Sequence, residues 1–587
     1  MAPTAPTAPL ESNVLRLLAV ADLAPGRGIG GGGSGPLAVG GGAAGVDAAL
    51  AELAPALAFA VPSHLGAGPR EIQVACSFRA LADFAPGALA RAVPALAELL
   101  AAREDLPRSP GEAASPPPPT AATAGDPLAA LLSQVELPPD STTLSALPLA
   151  ELLARPAAPE RTAEIDRRLT RQVAEISAAP PLRALETAWR GVALLAARAA
   201  DAADAGDAGN RSAVRLEILA TDRESLLDTF YDQVFGDEHE GASAVALSAV
   251  VLGWELDRSP ADVEDLRHLA RMGESLRVPF LGAVGPAFWG IRQPGLLANL
   301  PDLVRKTEGS EYAKWNGLRR EEVSLWLCLA ANRLLLRGAW SEEGAVGPVA
   351  RTGFEWRDPG PADRPLWGSG AWGLGAVLAQ AFAAAGLRFP MTGPQPPAQL
   401  SFSGFSSLAP LEVPLADQKA LEIARVGLAP LIARKGEAAA HFPSLPTVHL
   451  AKRYDREEAT RQAASQATLP YQAFAGAAAH ALDAIGREVP AGLAAEEVRQ
   501  RFEAGLRAFL GVEAPAAETA ATAAAGAADG GDIVSDVAAI EAVAAVEIEV
   551  AADPESPDVW AVHARLRPGF PISGSDVDLV LGSAVPR

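Results

Sequence analysis

The chain has 587 residues, 49% hydrophobic and 20% charged, the balance of a soluble globular protein long enough for two or more domains. Its 71 acidic against 49 basic residues leave a net charge of −22; with no Lys/Arg cluster to offset it, this excludes a nucleic-acid partner. Two cysteines, Cys76 and Cys328, build neither a disulfide framework nor a zinc site and suit a reducing cytoplasm.

The opening MAPTAPTAPLESN has no basic region and no apolar signal core. Val14–Val20 is a short apolar run that predicts a strand. After it comes a glycine-rich stretch, Gly26 to Gly45, in which Gly26, Gly28 and Gly31 satisfy G-x-G-x-x-G. The dinucleotide fingerprint needs its turn to run straight into a helix, with an acidic residue about twenty positions on; here roughly fifteen loop residues intervene before the helical pattern of Val46–Ala58. Glycine repetition explains the match, and a surface loop is expected. Glu71–Phe78 alternates, with Ile72, Val74, Cys76 and Phe78 on one face, which predicts a half-buried strand. Pro86 and Pro94 each suit a first helical turn, so two short helices should follow, the second with Leu96, Leu99 and Leu100 inward. The first module thus reads β–loop–α–β–α over residues 1–106.

Residues 107–125, with SPPPPTAATAGD at their centre, read as an extended linker. A large module spans 126–512. Ile165, Leu169, Val173 and Ile176 repeat at helical spacing, and after Pro180–Pro181 so do Leu182, Leu185, Trp189 and Val192. Val214, Leu216 and Ile218 alternate as a strand. Ser243–Gly253 and Val278–Gly285 are continuous apolar runs, as in buried parallel strands, and Pro260–Leu276 between them reads as the helix of a βαβ unit. The uncharged stretch Pro365–Leu387 is long enough to span a membrane, but its Ala and Gly content reads as a buried core helix. The fold class is α/β.

Residues 513–535 form a low-complexity loop. Beyond it, 536–587 carries three alternating stretches: Val546, Ile548 and Val550; Trp560, Val562, Ala564 and Leu566; Val577, Leu579 and Leu581. Strands set apart in this way need a partner sheet and are disposed to pair with another chain.

Catalytic chemistry finds little support. Asp237, Glu238, His239 and Glu240 sit side by side in GDEHEG, where neighbours cannot all converge on one ion, so a solvated loop is expected. The seven histidines are scattered, with no H-x-x-x-H pair, and no G-x-S-x-G elbow occurs. Neither a metal nor a cofactor is expected, and the tryptophans read as core residues.

Several segments resemble the bacterial type VI secretion sheath. FAVPSHL and EIQVACSFRALADFAPGALARAVPALAELLAARED are similar to its small subunit, and LRLLAVADLAPGR resembles that subunit's early strand. IDRRLTRQVAEISAAPPLRALETAWRGVALL, VPFLGAVGPAFWG, WNGLRREEVSLWLCLAANRLLLR, LWGSGAWGLGAVLA, KRYDREEATRQAASQATLPYQAFAGAAAHAL and ARLRPGF are similar to its large subunit and fall in the same order. The two subunits are usually separate chains; here they are joined through the proline-rich segment. The resemblance implies a non-enzymatic cytoplasmic protomer that polymerises with copies of itself around an inner-tube protein, sits on baseplate proteins and contracts to drive the tube outward. It implies that the C-terminal strands link neighbouring protomers. It also implies a recycling ATPase as a further partner, with Leu128, Leu131 and Leu132 of DPLAALLSQV as its recognition helix; a helix docked on its own domain explains that spacing equally well. Two other readings remain: the sheath of a related phage-tail-like injection particle, and a nucleotide-binding oxidoreductase using Gly26–Gly31.

Overall fold

The computed structural model describes residues 14–26, 35–66, 69–104, 151–152, 159–205, 213–341, 354–402, 409–511, 544–554, 556 and 558–587. Residues 107–125 and 513–535, Leu128, Leu131 and Leu132, and most of the Gly26–Gly31 motif lie outside them.

The first region contributes β1 (Val14–Ala21), β2 (Leu37–Val39), α1 (Gly42–Leu53), β3 (Ala56–Pro62), β4 (Glu71–Ser77), α2 (Pro86–Ala92) and α3 (Pro94–Glu104). Two of these depart from the sequence expectation. The end of the glycine-rich stretch is ordered into β2 and the start of α1. The helix then stops at Leu53, and Ala56–Ala58 belongs to a strand paired antiparallel with β4. Ala54 makes that stop in the left-handed region (φ 42°), its N–H bonded to Leu50 O at 2.8 Å. Alanine gives none of the glycine or asparagine signal that usually marks such a cap.

The second region opens with the long helices α4 (Pro159–Ala178) and α5 (Pro180–Ala205), broken at the proline pair as expected. Then come β5 (Ala213–Ala220), β6 (Ala249–Leu256), α6 (Pro260–Leu276), β7 (Phe280–Val284), β8 (Leu327–Ala331), β9 (Arg333–Arg337), β10 (Leu366–Ser369) and α7 (Gly370–Ala385). β6 begins at Ala249, so Ser243–Ser248 is not strand. The bounds of α6 are those expected from the sequence: Pro260 opens it, with Ser259 Oγ accepting from the Asp262 N–H at 3.1 Å, and it ends at Leu276, with Arg277 beyond it at φ 57°.

A seven-stranded sheet runs β11-β8-β7-β6-β1-β5-β2, where β11 is Ala429–Pro430. Every adjacent pair is parallel except β5–β2. The small-region strand β1 is therefore interior to the large-region sheet. All eight of its residues pair with β5, from Val14↔Ala213 to Ala21↔Ala220, and Leu17–Val20 pair with Ala249–Leu252 of β6. The two modules expected from sequence share one sheet.

Helices α5 and α7 cover one face, against Leu15, Leu17 and Ala19; α6 covers the other, with Leu18 and Val20. α7 is the expected core helix. Gly370–Arg388 is apolar and long enough to cross a membrane, and 67% of that stretch is buried inside the protein. Trp372 of α7 lies so close to Gly191 of α5 that a β-carbon there would stand 2.2 Å from the indole. Beneath α5, Arg337 donates to Glu186 at 2.8 and 3.3 Å and lies 4.2 Å from the Trp340 ring centre. Burial pushes the Glu186 carboxyl up, but Arg337 and Arg190 outweigh it and hold the group below its ordinary value.

Candidate assembly surfaces

Two sets of contacts hold the terminal portions of the chain. The first joins the small region to the large one. Arg16 is the one non-apolar residue of β1. Its Nε and Nη2 donate to Glu217 of β5 at 2.9 and 2.8 Å, and its Nη1 donates to Glu238 and to Val245 O. Burial opposes the Arg16 charge, yet the two carboxylates outweigh it and raise its pKa above the ordinary arginine value. Farther along, the Trp189 indole donates to Leu23 O at 3.1 Å, Gln172 bonds Pro62 O and the His64 N–H, and Arg168 donates to Leu65 O at 2.6 Å. Arg103 near the end of α3 meets Asp166 of α4 at 2.8 Å. The small region thus ends beside the start of the large region's first helix.

The second set holds the C-terminal strands. Helices α8 (Leu469–Arg487) and α9 (Ala495–Phe509) carry a separate antiparallel meander of β12 (Ala545–Ala552), β13 (Val559–Arg567) and β14 (Leu579–Pro586). The third strand starts at Leu579, so Val577 precedes it, though it is buried. Val562 and Leu566 of β13 and Leu579 of β14 are buried; Val546, Ile548, Val550, Trp560 and Leu581 are half-buried against the same core. All these side chains are spent inside the chain, and the Trp560 indole donates to Leu493 O at 3.1 Å.

The outward face is built differently. β12 presents Glu547 and Glu549, opposite Arg565 and His563 of β13. β14 presents Val580, Gly582 and Ala584, opposite Arg565, His563 and Ala561. Val580 is 64% exposed. Among the described residues β12 and β14 pair only with β13, so each leaves one backbone edge open. Edge strands are commonly protected by charge; here β12 carries two glutamates and β14 carries no charge. The sequence alternation found the inward residues; the uncharged outward set, legible in LVLGSAVP, was passed over.

The acidic cluster also resolves differently from its expectation. Glu238 is not on a solvated loop: it lies in a short helix, Gly236–His239, meets Arg16, and accepts from Ser243 Oγ at 2.6 Å and the Leu247 N–H at 3.0 Å. Asp237, His239 and Glu240 do not join it around a common point; among the described residues no group of three or more His, Cys, Asp or Glu is placed to hold a metal.

Comparison with known proteins gives this geometry a context. Residues 160–449 match the VipB family, described as EvpB/VC_A0108, tail sheath N-terminal domain. Residues 42–110 match the VipA family, described as Type VI secretion system, VipA, VC_A0107 or Hcp2. The chain belongs to the type VI secretion sheath family. It joins the small and large sheath subunits in one polypeptide and is a structural subunit of a contractile sheath. Among relatives of this sheath protomer is the type VI secretion system sheath protein TssC1 of Pseudomonas aeruginosa (strain PAO1), 24% identical over 445 residues, covering 72% of this chain and 85% of that protein. A solved structure, the helical sheath of the anti-feeding prophage in its contracted state, is similar at a TM-score of 0.30 and 11% identity, over 68% of this chain and 78% of that one. The VipA match begins at the start of α1, so it stops short of β1, the strand that locks the two regions together.

Proposed function

We infer that the chain polymerises into a tube around an inner-tube protein, seated on baseplate proteins, and that contraction of the tube drives the inner tube outward. The work is strand pairing and subunit repacking, with no bond made or broken and no cofactor, in the cytoplasm. The observation that carries this reading is the peripheral meander with its uncharged open strand. A strand added to the β14 edge satisfies backbone groups otherwise left to water, and the inward side chains already hold the meander to its own chain. Glu547 and Glu549 disfavour the same event at β12. The incoming strand belongs to a neighbouring protomer. Contraction releases free energy stored in an extended lattice. The segment containing Leu128, Leu131 and Leu132 would be the contact for a disassembly ATPase.

Removing Ser573–Arg587 is a poor test of this linkage, because Val577, Leu579 and Val585 are buried and their loss uncovers α8. The direct test is negative-stain microscopy of the purified full chain. Tubes with a wide lumen are the expected result. Discrete particles whose melting temperature rises with NAD or ATP would overturn the reading in favour of the nucleotide-binding alternative.

A further inference from the structure

The helical stretch after β5 carries a row of stacked rings on its outer side. It runs through Leu226–Phe230, a π turn over Tyr231–Phe235 and the short helix Gly236–His239. Turns of the π type are rare inside helices and recur at functional sites. Leu226, Phe230 and Val234 are buried in the core with Leu18 and Val20 of β1, and Glu238 is tied to Arg16, so the stretch is fixed in place. Tyr231 and Phe235 stack with ring centres 5.4 Å apart and planes at 15°; Phe235 and His239 stack at 5.5 Å and 8°. Tyr231 and His239 are exposed and Phe235 is half-buried. Asp228, Asp232, Asp237 and Glu240 are exposed along the same stretch, and no described cation pairs with any of them. The arginines of this part of the chain are engaged elsewhere: Arg223 with Asp262, Arg267 with Glu264 and Glu321, and Arg277 with Asp483. Arg271 of α6 is exposed and joins none of the four carboxylates.

Aromatic faces set among carboxylates suit guanidinium groups, which lie over rings and pair with carboxylates at once. Another exposed stretch of the same chain offers them. Val448 and Leu450 donate their N–H groups to Leu327 O and Arg319 O at 2.8 and 2.7 Å, which anchors the start of a turn over residues 450–456. Leu450 is 48% and Tyr454 52% exposed. Thr460 Oγ1 holds the turn, accepting from the Tyr454 N–H at 2.9 Å and donating to Tyr454 O at 3.0 Å. Lys452 pairs with Glu322 at 2.7 Å, whereas Arg453 and Arg456, on either side of Tyr454, are exposed and pair with no described carboxylate. Asp455 lies between them. Glu457 and Glu458 fall in the first turn of the next helix, Glu457–Gln466, where they complement its N-terminus.

An open helical polymer of one chain grows through heterologous contacts, in which two different surfaces of the chain meet. We propose that the Tyr231–Phe235–His239 face receives the turn 453–456 of a second copy, with Arg453 and Arg456 over the rings and against Asp228 and Asp232. The contact rests on the polymer reading above and adds a side-chain interface to the strand pairing at β14. It covers Tyr231, Leu450 and Tyr454, three of the six large apolar side chains left exposed among the described residues. Both surfaces are preformed, one by core packing and the other by Thr460, so little ordering opposes their meeting. Because the two surfaces differ, each added copy leaves one of each free, and the contact repeats without closing.

The test uses the full chain under conditions in which the wild type forms tubes. Asp228→Arg with Asp232→Arg should raise the concentration needed for assembly at least about tenfold, because like charges then face each other across the contact. Adding Arg453→Asp with Arg456→Asp should return it to within about threefold of wild type, a rescue that a misfolded variant cannot show. Tubes at the wild-type concentration from the first variant, or no rescue by the second pair, overturn the proposal. A second measurement reads the contact itself. Cys76 and Cys328 are buried, so in Asp232→Cys with Arg453→Cys only the introduced thiols are open to oxidation. Oxidised assemblies should give an open ladder of linked chains on denaturing electrophoresis, and Asp232→Cys alone should give none. Unlinked chains from the double variant also overturn the proposal. Wild-type tubes beside an unaffected Asp228→Arg with Asp232→Arg variant reject this contact and leave the polymer reading standing, whereas failure of the wild type to form tubes contradicts that reading and removes the contact with it.

Discussion

The strands β1 and β14 lie near opposite ends of the chain, and they are held in opposite ways. β1 is bonded on both edges, covered on both faces and tied by the half-buried Arg16 to Glu217 and Glu238, so it is part of the fold. β14 is bonded on one edge, covered on one face and presents Val580, Gly582 and Ala584 outward. Both read as apolar strands of eight residues, and local propensity does not tell them apart. The difference lies in what surrounds them: a strand inside a parallel sheet cannot leave without opening the core, whereas an outer strand of a docked meander can take another partner. Joining the two sheath subunits covalently therefore secures an association already built into the sheet.

The sharpest way to break this comparison is to remove β1. Residues 151–587 alone should be insoluble, because β5 and β6 lose the strand between them; co-expression with residues 1–110 should restore soluble protein. Soluble 151–587 with an unchanged circular-dichroism spectrum would show that the small region is an appendage. Next in size are core changes. Trp372→Ala should cost about 3–5 kcal/mol, read as a lowered urea midpoint, because the indole fills the space left by Gly191 and Gly253. Arg337→Met should cost a similar amount, about 3–5 kcal/mol, by leaving Glu186 buried without its main partner.

The Glu186 pair also sets a pH dependence. Its folded pKa is depressed, so its contribution is fully present above the unfolded value of about 4.3 and is lost as pH falls through the folded value. Wild-type stability should decline over that acidic range, and Arg337→Met should flatten this part of the decline. The smallest effect belongs to the meander surface. Arg565→Ala removes an exposed pair with Asp578 at 2.7 and 2.5 Å and should leave the melting temperature where it was. A large drop there would show that the meander is as much part of the core as β1.

Much of this was legible in the chain itself. The Pro260–Leu276 pattern gave α6 to the residue, the Pro180–Pro181 pair separated α4 from α5, and the alternation of Glu71–Phe78 gave β4. What stayed hidden was pairing. Val14–Val20 announces a buried strand, but nothing in those seven residues names β5 and β6 as its neighbours nearly two hundred positions later. Ala54 ended α1 without a recognisable stop signal, so β3 was absorbed into the helix. Glu238 looked solvated because its partner, Arg16, is distant in sequence. At the meander, inward side chains could be read from alternation; which edge is open depends on strand order, which alternation does not contain.

The most direct test of the account compares two uncharged sheet edges by electron microscopy. Val580→Lys with Ala584→Lys places positive charge on the open β14 edge at exposed positions, where stability should change by no more than about 0.5 kcal/mol. Ala38→Lys places one positive charge on β2, at the margin of the shared sheet. The account predicts tubes from wild type and from Ala38→Lys, and folded protein without tubes from Val580→Lys with Ala584→Lys. Tubes of wild-type length from the β14 variant would contradict it.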